Sequence, residues 1–254
     1  MTSTAFVSAN GAPGVTTAAC AIGAVWPAER EVVLVECDPA GGDLAARFGI
    51  PIEPGLTSWV LDQRASESQP DGILSHAQVL PGGLKVVVGP VGADTSVALD
   101  RELGSVDSDG SWVRHLGEVT DLILDAGRYN PQSSGQQQIL RCSDNVVIVS
   151  RCDASAVAHG KWLVDTLSAL RSRPSRAACL LVVGDGPFSP DECAQALGCA
   201  LVGTLPMERE AASMLSGEPG RSRALARSSL VRIARRVASQ LAVAPLSEEL
   251  SRVG

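Results

Sequence analysis

Three features of the sequence predict a doubly wound α/β fold, a mostly parallel sheet flanked by helices. Short apolar runs recur along the chain, each nearly continuous rather than alternating, which is how a strand buried on both faces of a parallel sheet reads. Longer, alanine-rich stretches with helical spacing lie between them, and strand alternating with helix is the order such a sheet requires. Finally, 254 residues with 45% hydrophobic and 19% charged content suffice for a sizeable core in a single domain spanning 1–254.

In chain order, the expected strands are Thr4 to Ser8, Val32 to Glu36, Leu84 to Val88, Asp121 to Leu124, Asn145 to Ser150, Cys179 to Val183 and Ala200 to Leu205. The expected helices are Thr16 to Trp26, Gly41 to Phe48, Ser111 to Glu118, Ser134 to Arg141, Ala154 to Arg171, Pro190 to Leu197 and Arg221 to Leu241. The stretches Gln63 to Asp71 and Gly104 to Gly110 read as surface loops, because strand or helix signals resume on both sides. The last helix, about 221–241, sets Arg221, Arg223, Arg227, Arg232, Arg235 and Arg236 against an apolar face of Leu230, Ile233, Ala234, Val237 and Leu241. That pattern fits a terminal helix packed on a sheet, and its arginines leave DNA as a possible partner. The short acidic tail, 245–254, lacks the apolar bulk of a membrane anchor.

A net charge of -7 argues against a surface given over wholly to nucleic acid. No apolar run reaches bilayer length and MTSTAFVSA lacks a secretory pattern, so no integral membrane segment and a cytoplasmic location are expected. Seven scattered cysteines suggest neither a disulfide framework nor a zinc site, and His76, His115 and His159 have no ligand spacing. Of 21 basic residues only Lys85 and Lys161 are lysine. Chemistry that needs a lysine has two candidates.

The first strand runs into NGAPGVTT, a glycine-containing turn followed by a helix beginning near Val15 or Thr16. Such a turn aims backbone N–H groups and a helix N-terminus at one spot, which suits an anion. Gly11 and Gly14 permit close approach, and Thr16 stands where a hydroxyl can meet the magnesium of a nucleotide. Against the pattern GxxxxGK[ST], Ala9 holds the first glycine position and Val15 the lysine position, so the turn alone fits an ordinary βα connection better than a phosphate loop. The second strand ends in VECDPAGGD, placing Asp38 at the same sheet edge, and DLILDAG places Asp125 there too. Two acids converging on a glycine turn favour a nucleotide and magnesium site, with Asp38 and Asp125 as catalytic candidates and Thr16, Asp38 and Asp125 around the metal.

Together these segments resemble the ParA/MinD family of P-loop NTPases, which also includes the nitrogenase iron protein. That family carries a deviant Walker A loop KGGxGKT, a switch DxDPQGG and a Walker B strand ending in Asp with glycine shortly after. NGAPGVTT, ECDPAGGDLA and DLILDAG stand in their places, and DNVVIVSRCDASAV and ALVGTLPMEREAASML are similar to later family segments. The resemblance implies that Asn10, Gly11, Ala12, Pro13, Gly14, Val15, Thr16 and Thr17 cradle ATP or ADP, that Mg2+ accompanies it, and that the chain pairs as a homodimer. The departures lie at the two family lysines. Val15 replaces the one that contacts the phosphates and Asn10 the one that reaches across the dimer. A charged hydrogen bond is worth about 1.5–3 kcal/mol, so its loss weakens nucleotide binding roughly ten- to a hundredfold. Hydrolysis suffers more, because phosphoryl transfer depends on cations that meet developing charge. Arg47, Arg128 and Arg209 lie nearest the motifs, and Arg128, just past the Walker B strand, is a possible substitute. At the position of the family's adenine-recognising asparagine stand Gly184 and Asp185, which leaves base preference open.

The resulting expectation is a ParA/MinD-like protein with a degenerate P-loop, weak or absent ATP binding and hydrolysis, and a positioning or scaffolding role for a pilus, secretion or partition machinery, whose protein partner it would contact. The alternative is an active partition or cell-division type ATPase with ATP-dependent dimerisation. A third reading bridges an iron–sulfur cluster across a dimer through Cys142 or Cys152.

Overall fold

The computed structural model describes residues 1–11, 13–65, 72–105, 111–171, 178–215 and 227–243. Among these, eight strands form one sheet: β1 (Ser3–Ser8), β2 (Val32–Glu36), β3 (Gln78–Val79), β4 (Lys85–Val87), β5 (Asp121–Arg128), β6 (Asn145–Ser150), β7 (Ala178–Val183) and β8 (Ala200–Leu205). Their order is β3-β4-β2-β5-β1-β6-β7-β8, parallel throughout except for the antiparallel edge strand β3. The sequence leaves β3 unread because two residues carry no periodicity. The other seven strands coincide with the expected runs to within a few residues.

Helices α1 (Val15–Gly23), α2 (Leu44–Phe48), α3 (Leu56–Ala65), α4 (Ala93–Ser105), α5 (Ser111–Val119), α6 (Ser134–Cys142), α7 (Ala154–Leu170), α8 (Pro190–Leu197), α9 (Arg209–Met214) and α10 (Ser229–Val243) cover the sheet. Alternation along each strand splits the core in two. Phe6, Leu34 and Ile123 face α1 and α10, while Ala5, Val7, Leu122 and Leu124 face the layer that contains α3 to α7. A buried α10 face of Leu230, Ala234, Val237 and Leu241 packs on the α1 side of the sheet, with Arg232, Arg235 and Arg236 left in solvent. Of the expected helix Arg221 to Leu241, the part up to 226 lies outside the described residues, as does the tail 245–254.

Two expected loops are in part helical. Gln63 to Ala65 close α3, and Gly104 with Ser105 closes α4, while 66–71 and 106–110 lie outside the described residues. Helix α4 is hidden in the sequence because its inward face mixes Leu99 and Leu103 with Ser96 and Asp100, polar residues at core spacing. Asp100 is satisfied by the Ser133 hydroxyl at 2.5 Å and the Gln136 N–H at 3.0 Å. Glycines let α4 and α6 meet closely: a Cβ on Gly135 would lie 2.5 Å from the Asp100 carbonyl oxygen. The expected helix Gly41 to Phe48 begins only at Leu44, because the segment before it is held as a loop by a buried carboxylate described below.

A candidate nucleotide site at the carboxyl edge of the sheet

The site begins with register. β1 lies at the centre with β5 on one side and β6 on the other, so the chain reverses direction of winding at the carboxyl end of β1, where α/β sheets bind ligands. Pairing of β2 with β5 sets Glu36 abreast of Asp125, and the Cys37 N–H donates to the Asp125 carbonyl at 2.8 Å. Asp38 follows immediately, so the two expected acids do meet at one edge. Asp38 lies against Gly127, where a Cβ would come within 2.0 Å of its Oδ2. Gly127 also has φ 61° and donates its N–H to Asp125 Oδ1 at 3.1 Å. Glycine is required there on both counts.

The turn after β1 has Gly11 at φ 61° and Gly14 at φ 95°, left-handed conformations that glycine adopts freely. Gly14 caps α1 without any side-chain hydrogen bond, and the first turn carries no acid, so its N–H groups have no built-in carboxylate. Ala12 lies outside the described residues. Val15 is 7% exposed and packs into the core beside Phe6 and Ala18. Where the pattern has a lysine, this chain has an apolar side chain turned inward. Asn10 donates instead to Ser155 Oγ near the start of α7, at 3.3 Å.

Asp125 is fully buried. Burial pushes its carboxyl up to about 7; the charges of Glu36 and Asp38 add to the rise, while hydrogen bonds from Thr16 and the Gly127 N–H oppose it. The Thr16 hydroxyl is thus close enough to favour the ionised form, yet Oδ2 makes no well-formed hydrogen bond. A buried carboxylate oxygen without a partner, beside a hydroxyl and at a helix N-terminus, fits a hard divalent cation. Among the described residues no group of three or more His, Cys, Asp or Glu side chains is arranged to hold a metal by itself. Such a cation would complete its shell with water and phosphate oxygens, as magnesium does. Burial likewise raises Asp38, opposed by the Ala40 N–H and by the charge of Arg128.

Two residues that sequence reading missed organise the site. Glu36 is buried and accepts from the N–H groups of Asp43 at 2.6 Å, Leu44 at 3.0 Å and Gly89 at 3.0 Å. It ties the Asp38 loop to α2 and to the end of β4. Gln136 is fully buried; its Nε2 donates to the carbonyls of Ala126 at 2.6 Å and Arg128 at 2.9 Å, and its Oε1 accepts from the Asn130 N–H at 2.7 Å. The signals were legible: an acid inside an apolar run demands partners, and Ser133 followed three residues later by Gln136 is a helix-start signature.

Two cavities flank the turn. One, of about 540 Å3, is bordered by Pro13, Gly14, Thr17, Val183, Leu205 and Met207 and is mainly apolar. Met207 covers Gly184, whose Cβ would lie 2.7 Å from the Met207 Cγ. The other, of about 500 Å3, is bordered by Asn10, Pro39, Ala40, Arg128, Tyr129 and His159. Neither lysine lines either cavity. Lys85 pairs with Glu31 at the amino end of the sheet, and Lys161 pairs with Asp165 on α7 at 2.9 Å. Arg47 is held by Asp43 at 3.0 Å, and Arg209 borders the apolar cavity. Cys142 and Cys152 are buried in the core.

No protein-family model matches the sequence, and no curated protein does. Solved structures do match. A ParA family ATPase from Chlorobium tepidum superposes with a TM-score of 0.72 at 18% identity, covering 94% of this chain and 98% of that one. The chain has the fold of these ATPases. The septum site-determining protein MinD from Pyrococcus horikoshii, solved with Mg-ADP, is similar at TM-score 0.69 and 16% identity, covering 95% of this chain and 96% of that one. MinD of Aquifex aeolicus, solved in complex with MinC, gives 0.69 at 15% identity with the same coverage. In this chain the glycine turn connects β1 to α1. Among the described residues no helix is long and apolar enough to cross a membrane.

Proposed function

We propose that the chain is a ParA/MinD-like protein with a degenerate P-loop, which binds magnesium ATP or ADP weakly, hydrolyses it little or not at all, and serves as a cytoplasmic positioning or scaffolding factor for a larger machinery of pilus, secretion or partition type. One contrast carries the reading: the Oδ2 of buried Asp125, without a well-formed hydrogen bond, lies beside Thr16 at a glycine turn that would suit phosphate, while Val15 is turned into the core. Magnesium would sit among Thr16, Asp125 and Asp38, directly or through water, and would supply the positive charge that a P-loop lysine otherwise shares. Three carboxylates, Glu36, Asp38 and Asp125, repel a bare nucleotide from this edge. Binding is therefore expected to require the metal. The backbone of Asn10, Gly11, Ala12, Pro13, Gly14, Val15, Thr16 and Thr17 would hold the phosphates, and the apolar cavity beside Met207 would take the base.

A homodimer would form across the face that carries Asn10 and Pro39, with Asn10 contributing a hydrogen bond without charge. The complex of MinD with MinC supports a protein partner for this fold. The second reading, an active partition or cell-division type ATPase, is favoured by the Arg128 charge close to Asp38. Calorimetry with Mg-ATP and Mg-ADP, together with a phosphate-release assay, separates the two. Weak binding with negligible turnover supports the scaffolding role. Rapid turnover abolished by Asp38→Ala establishes the ATPase.

A further inference from the structure

We propose that Arg128 is the cation that receives the terminal phosphate of a bound nucleoside triphosphate, so that the polar cavity it borders distinguishes triphosphate from diphosphate. The inference rests on the nucleotide-binding reading above. The turn that follows β1 runs between the two cavities: Pro13 and Gly14 line the apolar one, Ala9 and Asn10 the polar one. A nucleotide with its base beside Met207 extends its phosphates past the N-terminus of α1 toward the second cavity. The phosphate farthest from the base is then the one nearest Arg128.

The backbone holds Arg128 firmly in that place. It pairs in register with Ser8 at the end of β1, its carbonyl accepts from Gln136 Nε2 at 2.9 Å, and the next N–H, of Tyr129, donates to the Ser8 carbonyl at 2.8 Å. The Tyr129 ring is buried and packs edge-on to Trp162 with centroids 5.5 Å apart. The Arg128 side chain, by contrast, is exposed and makes no ion pair within 4 Å among the described residues. Its charge nonetheless reaches Asp38, whose ionised form it favours. The other cations near the motifs are placed differently: Arg47 is paired with Asp43, and Arg151 and Arg209 border the apolar cavity. A guanidinium at the rim is suited to bidentate contact with phosphate oxygens.

The test is calorimetric titration of the full chain with Mg-ATP and with Mg-ADP, in wild type, Arg128→Gln and Arg128→Lys, with thermal melts to verify folding. Loss of one charged contact is expected to weaken ATP about tenfold in Arg128→Gln while ADP changes less than about twofold, with Arg128→Lys in between. Equal weakening of both nucleotides, or no change in either, overturns the inference and leaves nucleotide binding standing. Failure of wild type to bind either nucleotide overturns both.

Discussion

At the scale of single residues, Gly127 joins the two acids of the candidate site. Its N–H holds Asp125 and its missing Cβ makes room for Asp38, so Gly127→Ala must displace Asp38 as well as strain φ 61°. A cost of about 1–2 kcal/mol is expected, read as a lowered Tm, together with loss of magnesium-dependent nucleotide binding. An unchanged melt and unchanged binding would contradict this geometry. At the opposite end of the sheet, Asp121 is buried and accepts from the Thr2 N–H at 2.6 Å, Trp26 Nε1 at 2.7 Å and the Arg30 guanidinium. Burial opposes its charge, but the hydrogen bonds from Arg30, Trp26 and Thr2 outweigh it and hold the carboxyl below its ordinary value. Between the folded pKa and the unfolded value of about 3.9, the unfolded chain binds more protons, so stability rises with pH across that window and is lost as pH falls through it. Asp121→Asn is expected to cost about 2–4 kcal/mol at pH 7 and to flatten the acid limb of the Tm against pH curve. Identical acid limbs in the two proteins would remove this ion pair from the account.

At the scale of elements, the close approach of α4 and α6 depends on Gly104 and Gly135, where a Cβ would lie 2.4 Å from the Ser134 Oγ and 2.5 Å from the Asp100 carbonyl oxygen respectively. Gly135→Val forces backbone apart rather than bending a side chain. It is expected to destabilise by about 2–3 kcal/mol in denaturant melts, as overpacking does. For α10 the reverse holds, because Arg232, Arg235 and Arg236 project from the helix face opposite its buried stripe. Replacing all three by Gln is expected to change stability by less than about 0.5 kcal/mol. If DNA is a partner, retention on duplex DNA at low salt falls in that variant, and the salt dependence shrinks with it. Sequence reading succeeds for the central strands, whose burial is apolar, and misses α3 although Leu56, Trp59 and Val60 are buried. It finds β1, β2 and β6 from continuous runs and α8 from its helical spacing, a helix that Ser189 and Glu192 cap reciprocally in the structure. It misses α4, where Asp100 and Ser96 occupy inward positions and find partners on α6 or in local backbone. It also starts α2 too early, since only the folded chain reveals that Glu36 captures the N–H groups of Asp43 and Leu44.

At the scale of the whole molecule, the sheet places its charges unequally. The carboxyl edge gathers Glu36, Asp38 and Asp125, while Lys85 stands at the amino end and Lys161 on the outside of α7. The positions of Asp38 and Asp125 were legible in the sequence because each closes an apolar run, whereas Glu36 was missed. Arg128 was already a candidate from its place after the Walker B-like strand, but the role of Gln136 was not legible, because it depends on which carbonyls of the β5 exit loop face α6. The claim at the centre is that the phosphate cradle is intact and lacks only its lysine. Its most direct measurement is the affinity of Val15→Lys for Mg-ATP beside that of the wild type, by calorimetry under identical conditions. A new charged contact is expected to tighten binding roughly ten- to a hundredfold and to leave the metal requirement in place. Equal affinities in two folded proteins, or tight binding by the wild type alone, would contradict the account.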